Sequence, residues 1–179
     1  MSAPVRDLLA GLGGLLTYPD EQYGRDLDAL VSGTTGLDPE AGAELAGFAA
    51  FVAGTPVTGL QEAFTQTFDL NPVCALEVGW QLFGEEYERG AFLVHARQLL
   101  RDHGIQETGE LPDHLSSMLA LLPRLPVEHA HKVAADALVP AVGKMATAIE
   151  ASTSPFRPLV RVIARMLAVA AERSEGVHA

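Results

Sequence analysis

The sequence predicts an all-α fold, built as a single compact domain of about eight to ten helices. Apolar residues recur at spacings of three and four along most of the chain, as they do on one face of a helix. Hydrophobic residues make up 48% of the 179 residues and the mean hydropathy is +0.17, enough for a well-buried core. No segment has the strict alternation that is typical of a strand.

Caps and periodicity justify the helices of the first half in order. They are expected at residues 5–16, 39–52, 60–68 and 71–84. Asp38–Pro39 and Asn71–Pro72 each place a capping side chain before a proline, which is a favourable helix start. Phe64 and Phe68 lie one turn apart and share a face. Residues 31–37, rich in Ser, Gly and Thr, are expected to be the least ordered stretch.

The second half continues the pattern. Helices are expected at residues 86–102, 111–122, 127–150 and 154–170. Gly104 is a suitable C-cap for the first of these, and Pro140 kinks or divides the third. Residues from 174 onward are expected to fray. No repeat, linker or change of composition marks a boundary, so residues 1–179 are expected to form one domain.

The segment 110–122 combines a proline, two acids and an imidazole at the start of an apolar helix. Pro112 fits the first turn, where its missing N–H costs nothing. Glu110 and Asp113 place negative charge at the positive end of the helix dipole, beside His114. The buried face is expected to consist of Leu111, Leu115, Met118, Leu119 and Leu122. The pattern predicts a rigid, acidic, partly exposed corner that suits a basic peptide better than it suits bond cleavage.

Charge and cysteine content exclude several function classes. The net charge is −11, from 23 acids and 12 bases, and no basic stripe for nucleic acid is present. No apolar run approaches the roughly 20 residues that span a bilayer, so membrane insertion is not expected. The apolar N-terminus is interpreted as a first amphipathic helix, since no small-residue cleavage site follows it. A single cysteine cannot form an internal disulfide, and a cytoplasmic location is expected.

Signals for catalysis and for cofactors are poor, and we expect neither an enzyme nor a metal site. The sequence lacks the phosphate-binding, nucleophile-elbow and dinucleotide motifs. His129 and His131 lie two residues apart on a helix and point to different faces. Cys74 is interpreted as a small buried hydrophobe. Asp113 and His114 are adjacent, so their side chains diverge by about 100° and do not form a general-base pair.

Three further segments carry residues beyond ordinary core positions. Phe64 and Phe68 fit either core packing or a groove. Glu77 fits either a solvated position or burial beside a partner cation, because its neighbours are apolar. The acids of residues 85–88 are interpreted as a solvated helix start.

Taken in order, these segments resemble a known family. The patterns E-x-F-x-x-x-F-D-L, N-P-x-C-x-x-E, G-E-x-Y-x-R-G and E-L-P-D-H-L are similar to those of the TorD/DmsD/NarJ molybdoenzyme assembly chaperones, nearest the nitrate-reductase delta-subunit branch. The resemblance covers about residues 9–125. It implies an all-α cytoplasmic protein without catalytic activity or cofactor of its own. Such a protein binds the N-terminal region of a molybdoenzyme catalytic subunit, often a twin-arginine leader, and holds the apoenzyme until the molybdopterin guanine dinucleotide cofactor is inserted.

The resemblance also implies a peptide-binding face. The residues that match it are Glu110, Pro112, Asp113, His114, Phe64, Phe68, Glu77 and Trp80. Glu77, Glu110 and Asp113 are expected to form an acidic rim, with the aromatic residues as the floor. One departure is that many members carry a glutamate where this chain has Leu119 or Ala120, which favours a partner held more by apolar contacts.

Two alternatives stay open at this point. One is a structural helical subunit of an oxidoreductase complex, and the other is a helical module that binds a small molecule or metal. The client molybdoenzyme and the choice between monomer and homodimer are also open.

Overall fold

The computed structural model describes residues 1–107 and 109–172. Within them the chain is helical and its only β-type pairing is an isolated bridge, so the predicted all-α fold is confirmed. The α-helices are α1 (Ala3–Gly14), α2 (Tyr23–Leu37), α3 (Pro39–Ala53), α4 (Val57–Phe64), α5 (Val78–Phe83), α6 (Glu88–Asp102), α7 (Leu115–Leu121), α8 (Val127–Val133), α9 (Val139–Glu150) and α10 (Arg157–Glu172). The shorter helical turns are π turns at Thr65–Asp69 and Ala134–Leu138 and 3-10 turns at Pro72–Cys74 and Leu122–Arg124. The tail that was expected to fray from residue 174 lies outside the described residues.

The first difference between the structure and the sequence-based prediction is in helix α2. Residues 31–37, expected to be the least ordered, form the C-terminal half of α2. Thr34 is fully buried, and its hydroxyl donates to the Leu30 carbonyl oxygen at 2.8 Å. A Cβ atom at Gly42 of α3 would lie 2.6 Å from the Cα of Thr35, so the small residues let α2 and α3 approach closely.

Residues 71–84 do not form the single helix that the sequence predicts. Pro72–Cys74 is a 3-10 turn, the backbone then becomes extended through Glu77, and α5 begins only at Val78. The extended stretch pairs with the turn before α7, as described below. A long-range pairing therefore overrides the local helix signal.

The predicted interruption at Pro140 takes the form of a π turn. Residues 127–150 are helical throughout, and the π turn Ala134–Leu138 ends two residues before Pro140, which sits in the first turn of α9. Proline lacks an N–H and clashes with the carbonyl four residues earlier in a regular α-helix. A wider turn at this point accommodates it.

One aromatic cluster joins the helices at the centre of the core. Phe156, fully buried before α10, has its ring centroid within 6.4 Å of those of Tyr23, Phe48, Phe64 and Phe68. Helix α1 packs on α7 and α2, and α10 packs on α3 and α9. None of the described helices combines the length and the apolar character needed to cross a bilayer.

Candidate functional site

An isolated antiparallel bridge joins two segments that are far apart in the sequence. Glu77, just before α5, pairs with His114, just before α7. The Val78 amide donates to the Asp113 carbonyl oxygen at 3.0 Å. Two of the predicted site segments are therefore held side by side.

Asp113 fastens this bridge from within. Its side chain is fully buried, and its Oδ2 accepts a 2.7 Å hydrogen bond from the Gly79 amide. A Cβ atom at Gly79 would lie 2.8 Å from that oxygen, so only glycine fits this contact. Burial raises the pKa of Asp113, and the Gly79 bond opposes the shift. The expectation of a partly exposed acidic corner is wrong for Asp113, which is an internal clamp.

His114 begins α7, which therefore starts later than the sequence predicts. Its Nδ1 accepts from the Ser116 amide at 3.3 Å and lies 2.7 Å from the Ser116 hydroxyl, so the imidazole is the N-cap. Pro112 lies buried in the preceding turn, outside the helix. Leu111, expected on the buried face, is 43% exposed. The predicted divergence of Asp113 and His114 is observed, since their side chains bind different partners.

A cavity of about 360 Å³ opens beside this bridge, and we call it the polar cavity. It is lined by five predicted site residues: Phe64, Phe68, Glu77, Glu110 and His114. The sequence-based hypothesis missed the remaining lining residues, which are Leu16, Thr17, Tyr18, Asp69, Ala75 and Leu76. The signals for two of them were present, because Tyr18 lies in T-Y-P-D and Asp69 directly follows Phe68.

The charges that line the polar cavity have one sign. Asp69, Glu77 and Glu110 contribute three carboxylates, and no lysine or arginine of the described chain lines the cavity. His114 is 6% exposed, and its burial lowers the pKa of the imidazole. Four nearby carboxylates act in the opposite direction and raise the pKa of the imidazole: those of Glu110, Glu77, Asp113 and Asp69.

Aromatic rings form the other wall. The ring centroids of Phe64 and Phe68 are 4.9 Å apart, and Tyr18 meets Phe64 edge-on at 6.0 Å. Phe64 and Phe68 are buried, whereas Tyr18 is 57% exposed. The π turn Thr65–Asp69 brings Phe68 and Asp69 to the cavity. The phenylalanines therefore serve both the core and the cavity.

Three predicted residues do not line the polar cavity: Pro112, Asp113 and Trp80. Trp80 was expected on the same floor as the phenylalanines, and the structure corrects this. Its indole N–H donates to the Pro72 carbonyl oxygen at 2.9 Å, and the Arg89 guanidinium lies 5.4 Å from the ring centroid. These contacts hold Trp80, a residue of α5, on a different surface from the polar cavity.

The arrangement has the chemistry of a binding site for a cation with apolar neighbours. Carboxylates accept hydrogen bonds from ammonium and guanidinium groups, and aromatic walls pack against the aliphatic part of such side chains. In the part of the chain that the structure describes, no cluster of His, Cys, Asp and Glu has the geometry to hold a metal ion.

Comparison with known proteins agrees with the resemblance in the sequence motifs. Residues 34–161 match the family model described as nitrate reductase delta subunit. A relative from Bacillus subtilis (strain 168), named as a probable nitrate reductase molybdenum cofactor assembly chaperone NarJ, is 28% identical over 158 residues. The matched region covers 86% of this chain and 84% of that relative. The chain belongs to the nitrate reductase delta subunit family.

Proposed function

We propose that this protein is a molybdenum cofactor assembly chaperone for a nitrate reductase. It binds the N-terminal region of the catalytic subunit in the cytoplasm and holds the apoenzyme until the cofactor is inserted. It has no catalytic activity of its own. The family membership and the name of the Bacillus subtilis relative support the chaperone class.

The lining of the polar cavity supports binding of a client chain. The carboxylates of Asp69, Glu77 and Glu110 line the cavity. Carboxylates form charge-assisted hydrogen bonds with ammonium and guanidinium groups. The N-terminal region of a protein offers such cations in its α-ammonium, lysine and arginine groups.

The departure at Leu119 has a structural reason that fits this proposal. Leu119 is fully buried, and a Cβ atom at Gly13 of α1 would lie 2.8 Å from its Cβ. A glutamate at this position would place a charge inside the α1–α7 contact. The acids of this chain instead reach the cavity from residues 69, 77 and 110.

A peptide titration tests the site. The full chain is titrated by calorimetry with a synthetic peptide of the catalytic subunit's N-terminal region, as wild type and as Glu77→Gln. Glu77→Gln is expected to weaken binding about tenfold at low salt, because one carboxylate that faces the cation is lost. The matched control is Glu21→Gln, which removes one exposed carboxylate outside the cavity. Equal affinities for both variants and wild type would contradict the site.

A second experiment separates a chaperone from a structural subunit. The tagged chain is recovered from cells that make the cofactor and from cells that cannot. A chaperone is expected to co-purify with the cofactor-free catalytic subunit and to be absent from the mature enzyme. A stoichiometric presence in the mature, cofactor-loaded enzyme would support the structural alternative instead.

A further inference from the structure

A cleft of about 500 Å³ lies beside α5, between the Pro72–Cys74 turn and α9, and we call it the Trp80 cleft. Its apolar lining consists of Pro72, Val73, Trp80, Leu82, Phe83 and Ala148. It shares no lining residue with the polar cavity. Trp80, Leu82 and Phe83 are only half-buried, so the fold leaves this apolar surface partly open.

The Trp80 cleft and the polar cavity adjoin along one segment of the chain. Residues 69–77 supply part of both linings: Asp69, Ala75, Leu76 and Glu77 line the cavity, and Pro72 and Val73 line the cleft. Val73 and Ala75 are two residues apart, so at most about 7 Å separates their Cα atoms. A ligand that occupies the cavity is therefore within reach of the cleft.

Hydrogen bonds from side chains fix this segment against α5 and α9. The Trp80 indole N–H donates to the Pro72 carbonyl oxygen at 2.9 Å, and the Gln81 side-chain amide donates to the Ala75 carbonyl oxygen at 2.8 Å. The Lys144 ammonium of α9 donates in turn to the Gln81 carbonyl oxygen at 2.6 Å. The spacing of the cavity and the cleft is therefore set before a ligand binds, which lowers the entropic cost of occupying both.

The lining of the Trp80 cleft favours an apolar group. No acid is found among its described lining residues, and its one cation, Lys144, already donates to a carbonyl oxygen. Val73 is 57% exposed, and Leu70, which directly follows Asp69 of the cavity, is 72% exposed. Neighbouring exposed apolar side chains that adjoin polar ones mark interaction surfaces. The segment therefore joins a site for a cation to a site for an apolar side chain.

We propose that the Trp80 cleft binds an apolar side chain of the same client segment that places a cation in the polar cavity. This inference rests on the proposed function and adds a second requirement to it. Continuity identifies the occupant, since one fixed segment of the chain lines both depressions. An extended peptide advances about 3.3–3.6 Å per residue, so the apolar residue lies about two to four residues from the basic one.

Three synthetic peptides, each with one arginine, test this pairing on the full chain. The first carries a phenylalanine three residues after the arginine, and the second carries a serine there. In the third, nine prolines separate the arginine from the phenylalanine by about 28 Å in the polyproline II conformation. Amide NMR titrations at low salt measure the affinities. The first peptide is expected to bind about tenfold more tightly than the other two, because only it buries an aromatic ring in the cleft.

Variants of the protein assign this advantage to the cleft. Val73→Asn is expected to reduce it from about tenfold to about twofold, whereas Val94→Asn, the same change on α6 outside the cavity and the cleft, preserves it. Both valines are exposed, so both variants fold. Ala148→Phe fills the cleft from α9 and is expected to abolish the advantage. The affinity for the serine peptide stays unchanged in all three variants.

Glu77→Gln separates this inference from the proposed function. It is expected to weaken the phenylalanine and serine peptides by the same factor, because each places its arginine in the cavity. If both peptides weaken equally but the phenylalanine adds no affinity in wild type, the inference fails and the proposed function stands. If neither affinity changes, the proposed function fails and the paired site fails with it.

Two further results would overturn the inference. They are equal affinities of the first and third peptides, and equal effects of Val73→Asn and Val94→Asn. Light scattering of the free protein tests the other occupant, a second copy of this chain. A dimer that Ala148→Phe dissociates would show that the cleft is a self-association surface and would also overturn the inference.

Discussion

The polar cavity contrasts with a second depression between α6 and α8, the apolar groove, which is lined by Phe92, His95, Ala96, Leu99, Met118, Leu125, His129, Lys132, Val133, Asp136 and Ala137. The two regions have one feature in common and differ in almost everything else. Each includes residues of a π turn. The cavity has three carboxylates and no lysine or arginine among its described lining residues, and the groove has an apolar floor with histidines and a lysine at its rim. One all-α fold therefore presents two depressions with different linings, one rich in carboxylates and one mainly apolar.

The two regions also differ in how they are held. The polar cavity depends on long-range hydrogen bonds, in which the Asp113 carboxylate and carbonyl bind the amides of Gly79 and Val78. The wall of the groove carries a short-range, exposed ion pair between Lys132 and Asp136, and the carbonyl oxygen of Leu125 accepts a hydrogen bond from the Arg6 guanidinium at 2.8 Å. We therefore expect the loss of the Asp113 carboxylate to destabilise the fold more than the loss of the Asp136 carboxylate.

The largest expected effect compares the two supporting acids. Asp113→Ala is expected to lower the free energy of unfolding by about 2–3 kcal/mol, because the buried Gly79 amide loses its acceptor. Asp136→Ala is expected to cost far less, since it removes an exposed ion pair within one helical segment. Urea denaturation measures both. Equal losses of stability in the two variants would contradict this difference. A stabilised Asp113→Ala would show that the cost of burying the carboxylate exceeds the stabilisation from its hydrogen bond with the Gly79 amide.

A smaller effect is expected from crowding the clamp. Gly79→Ala places a methyl group 2.8 Å from Asp113 Oδ2 and 3.0 Å from Phe92 Cδ1, and is expected to cost about 1–2 kcal/mol. Gly47→Ala is the control, because its added Cβ meets no atom within 4 Å and alanine favours the helix by up to about 1 kcal/mol. Thermal unfolding of both variants decides. A stabilised Gly79→Ala would mean that the Asp113–Gly79 contact is loose.

The smallest expected effect is on pH dependence. His114 has a lowered pKa in the folded protein, because burial disfavours its charged form. Below its ordinary value of 6.5, the unfolded chain binds this proton more readily than the folded one, so stability falls as the pH falls. His114→Gln is expected to flatten this decline, and His129→Gln at the exposed groove rim is the control. Urea denaturation from pH 7 downward measures it, and identical slopes in wild type and His114→Gln would refute the effect.

The helices show how much of the fold local sequence signals can predict. The periodicity identified most helices, including α1, α3 and α10, because each of these three buries an apolar face. It missed α2, whose glycine and threonine residues have low helix propensity but pack closely against α3 at Gly42. Residues 71–84 failed for the opposite reason. The cap-then-proline signal at Asn71 is local, whereas the pairing of Glu77 with His114 is not.

The sequence identified several residues that the structure brings together, but it did not predict their geometry. Five of the eight predicted residues line one cavity, although they come from three separate segments. The buried orientation of the Asp113 side chain could not be predicted, because it depends on a hydrogen bond from the backbone amide of Gly79, 34 residues earlier. Trp80 shares a segment with Glu77 but leaves the cavity, since its indole binds the Pro72 carbonyl oxygen. The motifs indicate which segments contribute to the cavity. Long-range hydrogen bonds determine which of their side chains line it.

The central claim is that the polar cavity, and not the apolar groove, binds the N-terminal region of the catalytic subunit. Amide NMR spectra of the full chain, recorded while a synthetic peptide of that region is added, test it most directly. The account predicts shifts centred on Tyr18, Phe68, Glu77 and His114, with Leu99 and Val133 unchanged. Shifts centred on Leu99 and Val133, with the cavity residues unchanged, would contradict it.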